Sequence, residues 1–157
     1  MDVTISEIDG SVNNWQELLT LLHEAVEYQN ARINPPSSLH RLDVDSISEK
    51  AHEEKLYIAW HKTQLIGCVF IREQQDLMYV GKLAIKPGYQ GLGIGKQLMA
   101  YAENYAKNCG FSELELQVRI ELIENQQTFK RMGFVEIGHT THVGFLEPTS
   151  VTMRKTI

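Results

Sequence analysis

The chain has 157 residues, 43% of them hydrophobic, with 15 Lys+Arg against 20 Asp+Glu and a formal net charge of −5. That length fits one domain, residues 1–157, with a core that needs no staples. The acidic balance speaks against a general nucleic-acid binder and is neutral or mildly attractive toward a cationic amine. Cys68 and Cys109 fall in no CxxC, zinc or paired framework and read as reduced packing residues, so neither a disulfide nor a metal is expected. With no secretory h-region and no apolar stretch near about 18 residues, a soluble cytoplasmic protein with no membrane partner is the expectation.

Val3 to Ile8 alternates apolar and polar residues as a first strand does, with Asp9-Gly10 as its turn. Asn13 or Asn14 can cap the helix that follows, whose buried stripe is Trp15, Leu18, Leu19, Leu22, Ala25 and Val26. The prolines in Arg32 to Ser38 stop that helix and make a loop. Ser46-Ile47-Ser48-Glu49 has the capping-box pattern and predicts a short helix over Ile47 to Glu54. Leu56–Trp60, Leu65–Ile71 and Leu77–Ile85 are three strand runs in an antiparallel meander. Ile94, Leu98, Tyr101, Ala102, Tyr105 and Cys109 then recur at helical spacing, and Gly110 follows as a C-terminal cap. Leu114–Val118 alternates as a strand. Leu122, Gln126, Phe129 and Met132 suit a helix ending at Gly133, Phe134–Ile137 a strand, His139–Thr149 a loop and Val151–Lys155 the last strand. The order β-α-α-β-β-β-α-β-α-β-β predicts an α/β fold, a mixed sheet with helices on both faces.

The functional signal lies in Gln90-Gly91-Leu92-Gly93-Ile94-Gly95-Lys96, between the strand ending at Ile85 and the central helix. A glycine turn into a helix leaves the first backbone N–H groups unpaired and lets a ligand approach them. Lys96 opposes the helix dipole unless negative charge sits nearby, so the unit reads as an anion site. The plainer alternative is a tight strand-to-helix connection with a solvated lysine. A P-loop fails, because Gln90 stands where its first glycine belongs and Gln97 follows the lysine; the dinucleotide pattern G-x-G-x-x-G fails in both registers, at Lys96 and at Leu98.

The segment resembles the pyrophosphate-binding motif Q/R-x-x-G-x-G/A of the GNAT superfamily of acyl-CoA-dependent N-acetyltransferases, matched by Gln90, Gly93 and Gly95. Leu83-Ala84-Ile85-Lys86-Pro87 is similar to the family's strand before the motif, Met132-Gly133-Phe134 to its late helix-to-strand junction, and Val151–Lys155 to its last strand. The resemblance runs from about Ile58 to the C-terminus. It implies that the strands ending at Ile85 and Val118 are parallel neighbours that splay, with acyl-pantetheine inserted between them. It also implies acetyl-CoA as co-substrate, main-chain contacts from Leu83, Ala84 and Ile85, and a pyrophosphate held by the amides of Gln90, Gly91, Leu92, Gly93, Ile94, Gly95 and Lys96. Asn125 and Phe129 on the next helix would complete the cofactor contacts. The loop after the first helix would cover the acceptor, with Tyr28, Arg32, Ser37, Ser38 and His40 as candidate contacts and Arg119 as a partner for a substrate carboxylate or a glutamate.

Catalysis is less legible. Acyl transfer from a thioester needs a neutral amine, a stabilised carbonyl oxygen and a leaving thiolate that is tolerated or protonated. Where many family members carry a tyrosine acid this chain has Phe129, and where they carry a glutamate base it has Tyr79 and Gln117. Thiols ionise near about pH 8.5, so the missing acid need not abolish activity, and a water or another hydroxyl, for example Tyr79 or Tyr89, could donate instead. For the base, His142 comes first and Glu121 second, ahead of Glu124 and His139; a histidine with a pKa near about 6.5 suits proton removal through a water. The plainer reading of each histidine is a polar loop residue with no role, and of Glu121 a first-turn carboxylate stabilising its helix dipole. The expected function is transfer of acetyl from acetyl-CoA to a primary amine of a small molecule or of an exposed peptide or lysine. A non-catalytic acyl-CoA-binding module is the alternative, and a nucleotide-binding regulator the weakest. A homodimer through the last strands stays open.

Overall fold

The computed structural model describes residues 2–8, 14–37 and 41–157. Its elements are β1 (Val3–Glu7), α1 (Trp15–Asn30), α2 (Val44–Glu53), β2 (Lys55–His61), β3 (Gln64–Gln74), β4 (Leu77–Ile85), α3 (Ile94–Asn108), β5 (Glu113–Arg119), α4 (Ile123–Arg131), β6 (Val135–Thr140) and β7 (Ser150–Thr156). This is the expected order. The seven strands form one mixed sheet, β1-β2-β3-β4-β5-β7-β6.

Two cores sandwich the sheet. On one face Ile94, Leu98, Met99, Ala102 and Ala106 of α3 pack on Val69, Ile71, Met78, Val80, Leu114, Leu116 and Val118. On the other, Leu18, Leu21 and Leu22 of α1 and Ile47 and Ala51 of α2 pack on Leu56, Ile58, Cys68, Phe70 and Ala84. A sheet buried on both faces explains the continuous apolar run of β3, in which Leu65 to Ile71 are all buried.

β4 pairs with β5 in parallel only at Met78↔Leu114 and Tyr79↔Glu115. Both strands continue well beyond that point, to Ile85 and Arg119, so they part and leave the β5-facing edge of β4 unpaired where Leu83, Ala84 and Ile85 lie. Within β4 a bulge intervenes: Lys82 is opposite Phe70 and Val80 opposite Ile71, which makes Gly81 the extra residue. Met78 and Val80 point to the α3 core, and Ala84 to the α1–α2 core. The bulge therefore brings Tyr79 and Lys82, three residues apart, onto the same α1–α2 face.

Several local expectations shift. The capping box lies three residues earlier than predicted: Asp43 accepts from the Ser46 amide at 2.8 Å while the Ser46 hydroxyl accepts from the Asp43 amide at 2.9 Å, so the helix starts at Val44. Aspartate is as good a cap as serine, and Ser46 serves here as the reciprocal partner. Asn14 is the N-cap of α1 but makes no side-chain capping bond; Asn13 lies outside the described residues. Tyr101 is 43% exposed on α3, its ring 5.5 Å from that of Tyr57, and Cys109 is exposed at the helix end, not packed. β6 runs through His139 and Thr140, which shortens the predicted loop.

Candidate active site

Past Ile85 the chain reaches α3 through a turn in which Gly88, Gly91 and Gly93 take positive φ of 92°, 77° and 81°. Gly93 is the N-cap, no side chain closes the helix end, and the first turn carries no acidic residue. The first helical bond runs from the Gln97 amide to the Gly93 carbonyl at 3.1 Å. The amides of Ile94, Gly95 and Lys96 therefore precede any intrahelical acceptor. A Cβ placed at Gly91 or Gly93 would meet nothing within 4 Å, so the space over these amides is open. Gln90, Leu92 and Lys96 are exposed around it, whereas Ile94 is buried and anchors the turn. A Cβ at Gly95 would lie 3.9 Å from Leu83 Cδ2, which places the turn directly beside the unpaired edge of β4. An open row of amide donors at a helix N-terminus suits phosphate oxygens.

Across the sheet, the loop after α1 is fastened to the end of β5 and the start of α4. Arg119 donates from Nη1 to the Pro35 carbonyl at 2.7 Å and from Nη2 to the Pro36 carbonyl at 3.4 Å. The Asn34 amide donates to Glu121 Oε2 at 3.0 Å. Arg32 pairs with Glu124 through both oxygens, the Nη2 contact being 3.0 Å; the arginine holds the Glu124 carboxyl down to about 2. The Ser37 amide donates to Asn30 Oδ1 at 3.0 Å. Burial lowers the pKa of Arg119, and Glu121 beside it opposes that shift. The Tyr28 side chain, Ser38 and His40 lie outside the described residues.

His142 joins the same neighbourhood. Its Nδ1 and its amide both contact Thr149 Oγ1, the amide at 3.0 Å, and among the described residues Nε2 makes no hydrogen bond. Its pKa is lowered first by burial, then by Arg119, with Glu121 acting in the opposite direction. The fold thus gathers His142, Glu121 and Arg119 at the carboxyl end of β5. Glu121 Oε1 is buried with no hydrogen-bond partner among the described residues. His139 instead pairs with Glu136 on β6 at 3.1 Å.

The remaining candidates divide. Phe129 meets Phe134 edge to face at 5.9 Å and packs against the α3 core, an apolar wall with no proton to give. Asn125 is half-buried and makes no hydrogen bond among the described residues. Gln117 is exposed. The Tyr89 hydroxyl is engaged, donating to Gln64 Oε1 at 3.1 Å and lying 3.2 Å from His61 Nδ1. Tyr79 lies at the point where β4 and β5 part, with the Arg72 guanidinium 4.4 Å above its ring. Burial raises the pKa of its hydroxyl, which keeps it a donor at neutral pH.

A group of charges beside Tyr79 escapes sequence reasoning. Glu54, with a side chain only 6% exposed, accepts from Lys50 Nζ at 3.0 Å and lies 3.9 Å from Arg72 Nη1. Lys82 projects next to them over the Phe70 ring. Three elements supply these residues, so no local spacing announces them; the i,i+4 pair Lys50–Glu54 is the one sequence signal, and it reads as an ordinary helix pair. Among the described residues no group of three or more His, Cys, Asp or Glu could hold a metal ion, and no helix is long and apolar enough to cross a membrane.

The sequence profile of the Acetyltransferase (GNAT) family matches residues 15–134. An IAA acetyltransferase of Azospirillum brasilense is 23% identical over 142 residues, 89% of this chain and 91% of that protein. Among solved structures, the PaiA N-acetyltransferase of Thermoplasma acidophilum in complex with coenzyme A superposes with a TM-score of 0.81 at 18% identity, covering all of both chains. An IAA acetyltransferase of Bacillus cereus superposes with a TM-score of 0.71 at 19% identity, over 99% of this chain and all of that one. At such identities the structural likeness speaks for the fold alone. The family profile spans most of the chain, from the start of α1 through the whole glycine turn to Phe134: the chain belongs to the Acetyltransferase (GNAT) family and is an acyltransferase.

Proposed function

We propose that the chain moves an acetyl group from acetyl-CoA to a primary amine, of a small molecule or of an exposed peptide or lysine, by direct attack in a ternary complex. The observation that carries this reading is the pairing of open, uncapped amides at the start of α3 with the unpaired edge of β4 next to them. The amides from Gln90 to Lys96 receive the pyrophosphate, the main chain of Leu83, Ala84 and Ile85 aligns the pantetheine, and Asn125 offers its free amide with Phe129 as an apolar wall. Arg32, Ser37 and Arg119 border the acceptor.

The amine nitrogen forms a bond to the thioester carbonyl carbon, main-chain N–H near Leu83 stabilises the oxyanion, and the C–S bond breaks to release CoA. His142, through Nε2 and a water, takes the proton that the amine gives up, with Glu121 beside it to steady the imidazolium. Tyr79 donates to the departing thiolate. Calorimetric titration with acetyl-CoA, followed by a thiol-release screen against polyamines, amino acids, aminoglycosides and N-terminal peptides, tests the reading. Binding with release is expected; binding without release from any amine would point to a sensor, and no binding would remove the function built on the turn.

A further inference from the structure

We propose that Lys82, backed by Lys50 and Arg72, holds an anionic group of the acceptor, so that the favoured substrate is an amine that also carries a carboxylate or a phosphate. The inference rests on the transferase reading and names its substrate class. Lys82 immediately precedes Leu83 on β4, and the Gly81 bulge places it on the same face as Tyr79, at the mouth of the splay. Both side chains are partly exposed there and reachable by a ligand.

Charge accounting on that face leaves Lys82 unmatched. Its positive neighbours are Lys50 from α2 and Arg72 from β3. The carboxylate among them, Glu54, is 3.0 Å from Lys50 and 3.9 Å from Arg72; it attracts Lys82 from a distance, its Oε1 making no hydrogen bond, and among the described residues no carboxylate oxygen comes within 4 Å of Lys82. The next carboxylate on this face, Glu115 of β5, is taken by Arg154 of β7 at 2.7 Å. What Lys82 does contact is the Phe70 ring, 5.8 Å from its ammonium, at the outer limit for a cation–π interaction. A half-buried ammonium between two other cations is costly unless an anion completes the group. Burial first, then Lys50 and, more weakly, Arg72 pull its pKa down to about 8, and Glu54 offsets only part of that. A carboxylate or phosphate beside the reacting amine supplies further negative charge, and it fixes the amine's orientation toward β4. The local field is thus opposite in sign to the net charge of −5.

Matched acceptor pairs read this out: lysine against cadaverine, tyrosine against tyramine, and phosphoethanolamine against ethanolamine. The wild-type protein favours the anionic member in kcat/KM, with the carboxylate pairs and the phosphate pair separating the two sources. Lys82→Met removes that preference by about tenfold or more, Lys82→Arg retains most of it, and acetyl-CoA affinity stays put in both. A wild-type preference for the member lacking the anionic group, or an equal loss on both members of each pair, overturns the inference while leaving the transferase reading intact. A second readout needs no turnover. The 13Cε resonance of Lys82, assigned by its loss in Lys82→Met, titrates with a midpoint that rises when acetate or inorganic phosphate is added; a midpoint unmoved by either overturns the inference whether or not any acceptor is found.

Discussion

The two halves of the candidate site are built by opposite means. The proposed cofactor side is backbone: glycines at positive φ, an uncapped helix end and a strand edge left unpaired. The proposed acceptor side is held by side chains reaching across the fold: Arg32 to Glu124, 92 residues away, Glu121 to the Asn34 amide, 87 away, and Arg119 to the Pro35 carbonyl, 84 away. A backbone site depends on a few glycines in a row and is indifferent to what surrounds it. A side-chain site depends on several segments arriving together, so its parts fail separately and by smaller steps.

The largest effect should come from filling the backbone site. Gly93→Glu is the obvious change, but Gly93 sits in the left-handed region, where any other residue adds strain of about 1–2 kcal/mol and confuses loss of binding with loss of fold. Gly95 has helical φ and its Cβ would make ordinary contact with Leu83. Gly95→Glu should leave circular dichroism and thermal unfolding close to wild type while abolishing acetyl-CoA binding in calorimetry. Unchanged affinity would show that the phosphates are held elsewhere.

Next in size is the proton acceptor. His142→Ala is expected to lower kcat by about 100-fold with little change in acetyl-CoA affinity, within the usual range for a general base. Because the His142 pKa lies below the ordinary histidine value of about 6.5, its neutral form persists to lower pH, and the acid limb of the wild-type pH–rate profile should fall below that value. The variant should lose that limb. A profile of unchanged shape would take His142 out of the mechanism and leave Glu121, whose Oε1 is buried and unpartnered, as the group to test.

Smaller again is the fastening of the loop. Arg119→Ala removes both hydrogen bonds to the Pro35 and Pro36 carbonyls and should cost about 1–3 kcal/mol of stability, as for charged donors to backbone. With the loop loosened, acceptor KM should rise while acetyl-CoA affinity holds. Equal loss of both would mean that the loop supports the cofactor side as well, and the division between the two halves would dissolve.

What was legible in the sequence follows the same division. The glycine turn, the strand before it and the helix after it are contiguous, so Gln90 to Lys96 could be read with their chemistry. The element order was legible because each run is long and periodic. The bulge at Gly81 was not, since a glycine within Leu77–Ile85 reads as a weak strand residue until the register with β3 is known. Lys82 went unseen for that reason: by simple alternation it falls on the opposite face from Tyr79. Glu121 read as a first-turn carboxylate of α4, whereas it precedes the Leu122 N-cap and accepts the Asn34 amide from the far side of the chain.

The smallest effect is expected at the outermost fastening, and its pH dependence has a definite sign. Glu124 is held at about 2 by Arg32, below the ordinary glutamate value of about 4.3. A carboxyl whose pKa is depressed on folding contributes stability that is fully present above the unfolded value and is lost as pH falls through the folded one. The pair's contribution should therefore fade between about pH 4.3 and 2 and be constant near neutrality. Since both side chains are well exposed, at 36% and 52%, solvent and salt screen the interaction and the contribution is slight. Urea midpoints of wild type and Glu124→Gln, compared from neutral to acid pH, should differ slightly at neutrality, converge across that window, and differ less in high salt. A difference that persists at pH 2 or ignores salt would mean that Glu124 acts through packing, and that the acceptor loop is held at this end by shape and not by charge.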